Sequence, residues 1–243
     1  MNSTHSEHIL RSYDEELGRL KGEIARMGEI AVAQIAAAMD VIERRDSRAA
    51  ERVIANDDAI DQLEASVSND VLMLLAKRQP MPRDLREVMA ALRIASDIER
   101  IGDYAANLAK RSIALNLTAA IPPVHNLPTL AETASEMLTD VLKAYRIGDE
   151  KMARIVWDRD VDLDSLYTSL FRESLTYMME DARNITPATH VLFMAKNIER
   201  IGDHVTNIAE NIWFLVTGQS LDTPRRKADL TSRMEMHPGD PKK

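Results

Sequence analysis

The hexapeptide IERIGD occupies Ile98–Asp103 and recurs unchanged at Ile198–Asp203. The duplication extends beyond it. Ala95, Asn107 and Ala109 also match their counterparts at Ala195, Asn207 and Ala209, and upstream DSRAAERVIANDDAIDQLE from Asp46 aligns with DEKMARIVWDRDVDLDSLY from Asp149. A repeat at a period of about a hundred residues means that one structural unit is used twice.

Each unit reads as helical. The spacing predicts helices over 6–45, 46–78 and 83–116, then over 128–147, 149–182 and 187–217. Asp46 and Asp149 are the expected N-caps of the second helix in each unit, since an aspartate after a short turn can accept from free backbone N–H groups. The Pro-containing stretches KRQPMPRDLR and DARNITPATH fall where helices should break. Long helices joined by short turns pack antiparallel. The expected fold is therefore all-α, with two tandem, similar three-helix bundles. The first spans 6–117 and the second 128–217, joined by a linker at 118–127 (from AAIPPVHNLP). The polar, aperiodic stretch 218–243 is expected to be a flexible C-terminal tail.

Composition agrees. The chain is 45% apolar but only 4% aromatic, with 13 Met, which points to aliphatic helical cores. It contains no cysteine, so disulfides and thiolate metal sites are excluded. A net charge of −8 argues against nucleic acid or an anionic membrane as a partner. No N-terminal signal pattern and no long uncharged apolar run are present, so a soluble cytoplasmic protein without membrane insertion is expected.

The repeated acids carry the functional reading. Val88, Ala95, Gly102 and Ala109 are spaced by seven, as are Leu85, Leu92, Glu99 and Ala106, which sets Glu99 and Gly102 on the seam facing the bundle, with Asp103 beside them. The second unit repeats this with Leu192, Glu199, Ala195 and Gly202. On the helix before, Ala50, Asp57, Glu64 and Val71 form a row with Asp61 one turn beyond Asp57, and Asp160 and Asp164 match them. Each unit therefore carries two acidic i,i+4 pairs: Asp57/Asp61 with Glu99/Asp103, and Asp160/Asp164 with Glu199/Asp203. Like charges converging on a seam demand protonation or a cation. Carboxylate oxygens suit hard or borderline ions: iron, zinc, manganese or magnesium. A glycine beside the acids in both copies leaves room for close approach, and Asn107 or Asn207 could add a neutral oxygen.

Other readings stand beside this one. Arg100 or Arg200 could pair with Asp103 or Asp203 on a solvated face, although a residue next to Glu99 is rotated about 100° around the helix and should point away. A metal-free helical scaffold or a carboxylate-bridged metalloenzyme are the alternatives. The latter lacks a Glu-x-x-His motif and other catalytic fingerprints, and few His, Ser or Lys surround the acids, so no catalytic residue is expected.

YDEEL at Tyr13–Leu17, RQPMPRDLR at Arg78–Arg86 and the doubled IERIGD resemble the PhoU family of phosphate-uptake regulators. The resemblance covers roughly residues 6–217. It implies a cytoplasmic negative regulator of the phosphate-starvation response that bridges the phosphate ABC transporter ATPase and a sensor histidine kinase, often as a homodimer. It also implies E/D-x-x-x-D motifs that bind clusters of metal ions, iron and zinc among them, here Asp57/Asp61, Glu99/Asp103, Asp160/Asp164 and Glu199/Asp203. The run NITPATH departs from the first unit's pattern, so any role of Asp84 and Arg86 belongs to the first half alone.

Overall fold

The computed structural model of the chain describes residues 3–77, 82–221, 228, 229 and 231. Residues 78–81 of the RQPMPRDLR motif and most of the stretch after 221 lie outside the described residues. Among those described there are eight α-helices and two short 3-10 turns, and no strand. They are α1 (Ser3–Arg44), α2 (Ser47–Ala55), α3 (Asp58–Lys77), α4 (Pro82–Leu115), α5 (Leu127–Ile147), α6 (Glu150–Asp158), α7 (Asp160–Glu180) and α8 (Ile185–Thr217). No helix among the described residues is long and apolar enough to cross a membrane.

The two-unit, all-α architecture is as the repeat predicts, with one correction. The middle helix of each unit, expected to be continuous over 46–78 and 149–182, is broken into α2/α3 and α6/α7. At the first break the hydrogen bonds tighten to a 3-10 spacing, with the Asp57 N–H on Ile54 O at 3.3 Å and the Ile60 N–H on Asp57 O at 2.9 Å. The sequence there is Asn56-Asp57-Asp58. Short polar side chains compete for the backbone and favour caps over helix interiors. The second break, at Arg159, is tied down by Arg159 bridging to Asp140 at 2.9 Å and Glu136 at 2.8 Å on α5. Each break leaves acids in the first turn of the next helix, Asp58 and Asp61 in α3, Asp160 and Asp162 in α7, where the N-terminal end of the helix dipole favours them.

The expected N-caps are in place. Asp46 accepts from the N–H groups of Arg48 and Ala49, and Asp149 from those of Lys151 and Met152. Just before each cap the chain turns through the left-handed region, at Gly148 (φ 69°) and, in the first unit, at Arg45 (φ 54°). A non-glycine residue is strained there. Arg45 compensates by donating from its guanidinium to the carbonyls of Leu115, Asn116 and Thr118 at the end of α4.

The core runs through both units. Ile98, Ile101, Ile198 and Ile201 are fully buried, so the motif's isoleucines are packing residues, each contributing roughly 1.5–3 kcal/mol by burial. The Val88, Ala95, Gly102 and Ala109 row is buried throughout. The parallel row is not: Leu85 is exposed and Leu92 partly so, which puts Glu99 at the margin of the seam and not in its centre. The largest helix interface joins α4 to α8. The two run antiparallel, since the Arg86 guanidinium sits beside Gly218, Asp97 meets His204, and Arg111 lies over the Phe193 ring at 4.2 Å.

Candidate metal centres

In the first unit the kink between α2 and α3 presents Asp57 and Asp61 to Glu99 and Asp103 of α4. Their mutual influence is visible in their protonation. Burial pushes the Asp57 carboxyl above its ordinary value, opposed by the hydrogen bond from Gln34 and reinforced by Asp103 and Asp61. Burial also raises Asp61, reinforced by Asp103, and it raises Glu99, reinforced by Asp103 and eased by Arg100. Asp103 thus repels each of the other three sequence-predicted acids, and Asp61 adds to the repulsion on Asp57 and Glu99.

Two donors the sequence reading misjudged or missed partly relieve them. Arg100 does not point away: its Nη1 lies 2.9 Å from Asp103 Oδ2 and its Nε 3.4 Å from Glu99 Oε2. The arginine stem is long enough to wrap back over an i,i+3 neighbour despite the 100° offset. Gln34 of α1 is buried and donates from Nε2 to Asp57 Oδ1 at 3.0 Å. A glutamine interrupting the apolar run Ile30–Met39 was the only sequence signal for it. Its Oε1 is buried and accepts no hydrogen bond from the described protein groups.

Gly102 explains its own presence here. A Cβ at this position would stand 2.8 Å from Ile60 Cδ1, 3.1 Å from Asp57 Oδ1 and 3.6 Å from Gln34 Oε1. The glycine therefore leaves a small hollow bounded by a carboxylate and an unsatisfied amide oxygen. That is a hard, oxygen-only donor set and fits iron, manganese, magnesium or zinc. As the side chains stand, no three Asp, Glu or His groups among the described residues converge closely enough to hold one ion; Arg100 and Gln34 already engage carboxylates at this cluster.

The second unit brings Asp160 and Asp164 of α7 to Glu199 and Asp203 of α8. Here Asp160, Asp164 and Glu199 are each 2% exposed, where Asp61 is exposed and Asp57 half-buried. Lys196, one turn before Glu199, places Nζ 2.8 Å from Glu199 Oε2. Burial raises the Glu199 carboxyl, Lys196 pulls it back and Asp203 raises it again. Burial works against the Lys196 charge, but the hydrogen bond and charge of Glu199 keep its pKa above the usual lysine value. The expectation that few lysines surround the acids fails here: Lys196 sits at i,i+3 to Glu199, where the aligned repeat carries Ser96. Of the C-terminal stretch, Ala228 and Asp229 reach Asp164 through their backbone N–H groups.

His204 and Asn207 do not join the acids. His204 Nδ1 lies 2.8 Å from Asp97 Oδ1, and the Asn207 amide donates to the same oxygen at 3.3 Å, at a groove of about 640 Å³ between α4 and α8. Arg200 lies by the Tyr104 ring at 5.8 Å.

The sequence profile of the PhoU domain matches twice, over residues 24–112 and 127–212, the two halves of this architecture. The chain belongs to the PhoU family. This PhoU chain is 58% identical over 236 residues to the phosphate-specific transport system accessory protein PhoU homolog of Xylella fastidiosa strain Temecula1, covering 97% of this chain and 98% of that one. It is 46% identical to the Rhizobium meliloti protein of the same description, over 93% and 96% of the two chains. The crystal structure of PhoU from Pseudomonas aeruginosa superposes with a TM-score of 0.82 at 32% identity, covering 85% of this chain and all of that one. The phosphate transport system regulatory protein PhoU of Streptococcus pneumoniae gives 0.79 at 28%, covering 87% and 100%.

Proposed function

We propose that this chain is a cytoplasmic accessory protein of a phosphate transport system that acts as a negative regulator of phosphate uptake and of the phosphate-starvation response. It works by contact, as a homodimeric adaptor between the transporter ATPase and a phosphate-sensing histidine kinase, and not by catalysis. The observation that carries this reading is end-to-end similarity to proteins described as accessory to phosphate-specific transport, with the doubled domain intact. Deleting the gene tests it: phosphate-starvation genes should then be expressed in phosphate-rich medium, and unchanged repression would overturn the reading.

Metal is part of the proposal. Asp57, Asp61, Glu99 and Asp103 would hold ions in the first unit, with Gln34 as an added oxygen ligand, and Asp160, Asp164, Glu199 and Asp203 in the second. The ion would supply fixed positive charge that cross-links α3 to α4 and α7 to α8. The acids hold themselves close enough to raise one another's protonation, and the Gly102 hollow keeps space beside them. Arg100 and Lys196 favour a second reading, a metal-free scaffold in which these cations alone balance the acids. Elemental analysis of protein purified without chelator or metal column separates the two, since the scaffold requires no stoichiometric iron, zinc, manganese or magnesium.

A further inference from the structure

The two acid clusters come from one repeated motif but are closed in different ways. In the first unit every donor named above belongs to the bundle, and Asp61 remains exposed. In the second, groups from outside the repeat join Lys196 of α8 in covering the acids. The N–H groups of Ala228 and Asp229 both donate to Asp164 Oδ2, at 2.8 and 3.2 Å. The Ala228 carbonyl accepts from Thr168 Oγ1 at 3.4 Å. The Asp229 carboxylate is held by the Thr231 N–H at 2.9 Å and hydroxyl at 2.6 Å, and faces Lys196 Nζ at 3.5 Å. Lys196 in turn pairs with Glu199 and stands over the Tyr167 ring at 5.1 Å. Lys196 is thus clasped between an acid of the cluster and an acid of the C-terminal segment. The aligned first-unit positions of Lys196 and Tyr167 are Ser96 and Glu64, so the first cluster has no such clasp.

We propose that the segment carrying Ala228, Asp229 and Thr231 is an internal ligand of the second acid cluster and competes there with a metal ion. The inference rests on the metal reading above. Two backbone dipoles on Asp164 and one ammonium on Glu199 provide the positive potential that a bound cation would provide. They occupy the same oxygens: Asp164 Oδ2 already accepts two N–H groups, and a cation beside Glu199 would meet Lys196 as a like charge. Metal therefore enters the second cluster only as the segment leaves. The open first cluster loads first, and loading of the second frees residues 228, 229 and 231. Cation occupancy becomes exposure of a C-terminal segment, which a protein partner can read.

The test uses the full chain, stripped of metal, titrated with Mn²⁺ by calorimetry and followed by hydrogen exchange of the peptide containing Ala228 and Asp229. Two binding steps are expected, the second at least tenfold weaker, with exchange at Ala228 and Asp229 quickening at least tenfold in the second step alone. Ala228→Pro/Asp229→Ala removes one donor and the carboxylate facing Lys196, both outside the helices; in it the second step should strengthen toward the first. A single step in the native chain that becomes two in the variant is the same result in stronger form. Two equal steps in the native chain, or a second step that leaves exchange unchanged, would overturn the competition while leaving the metal reading intact. Loss of the first step in Glu99→Gln/Asp103→Asn verifies that reading separately, and no Mn²⁺ binding at all would remove both.

Discussion

Lys196 Nζ lies 2.8 Å from Glu199 Oε2, at the position where the first unit carries Ser96. Glu199 is buried, so this ammonium is its main compensation in the metal-free chain. Removing one partner of a fully buried pair costs about 3–5 kcal/mol. The Lys196 side chain is 35% exposed, and water would reach the vacated site, so Lys196→Met should cost about 1–3 kcal/mol. Urea unfolding of metal-free protein at neutral pH measures it. A variant as stable as the parent would mean that Glu199 is held neutral.

The first cluster makes stability depend on pH. Asp57, Asp61 and Glu99 have carboxyl groups raised above their ordinary values, chiefly by burial. The folded chain thus binds more protons than the unfolded one between the two sets of values, and stability falls as pH rises through that window. The window opens near pH 4, the ordinary carboxyl range. Asp46 and Asp181 are lowered and lose their contribution only below that range. Metal-free protein should therefore melt higher at pH 5 than at pH 7.5, and Glu99→Gln should flatten the difference.

Metal should reverse that penalty. An ion bound only by the folded state stabilises it by about 2.7 kcal/mol at a hundredfold excess over its dissociation constant. Chelator should lower the melting temperature of natively purified protein. The Glu99→Gln/Asp103→Asn/Glu199→Gln/Asp203→Asn variant should not respond. Equal melting with and without chelator, in protein shown to be stripped by the treatment, favours the scaffold in which Arg100 and Lys196 suffice.

Gly102 separates room from stability. Alanine gains about 1 kcal/mol in helix propensity, against displacement of Ile60 Cδ1 from 2.8 Å. The net effect of Gly102→Ala on folding should lie within about 1 kcal/mol, because opposing terms of that size nearly cancel. Metal affinity at the first cluster should fall at least tenfold, about 1.4 kcal/mol, because the new methyl fills the hollow between Asp57 and Gln34. Calorimetry on this variant decides, and unchanged affinity would place the ion elsewhere.

Arg45 offers a test on the fold alone. Arg45→Ala keeps the strained backbone and loses three guanidinium contacts, so it should cost about 1–3 kcal/mol. Arg45→Gly loses the same contacts but relieves φ 54°, and should be the more stable of the two by about 1 kcal/mol. Thermal melts of the pair check the order.

The sequence by itself determined the all-α class, the duplication, the N-caps at Asp46 and Asp149 and the pairing of acids across helices, because these follow from local periodicity, capping chemistry and repetition. It placed the Val88, Ala95, Gly102 and Ala109 row on a packing face for the same reason, and that row is buried throughout. Beyond the same-helix cations Arg100 and Lys196, tertiary structure alone decided what balances the acids. Gln34 comes to Asp57 from 23 residues away, and the Ala228 and Asp229 amides come to Asp164 from more than sixty, separations that no helical period encodes. Nor does periodicity tell how deeply a seam row is covered. Glu99 and Glu199 occupy identical motifs, yet only Glu199 is sealed, because burial depends on which distant chain segment packs over the helix and not on the helix that carries the residue.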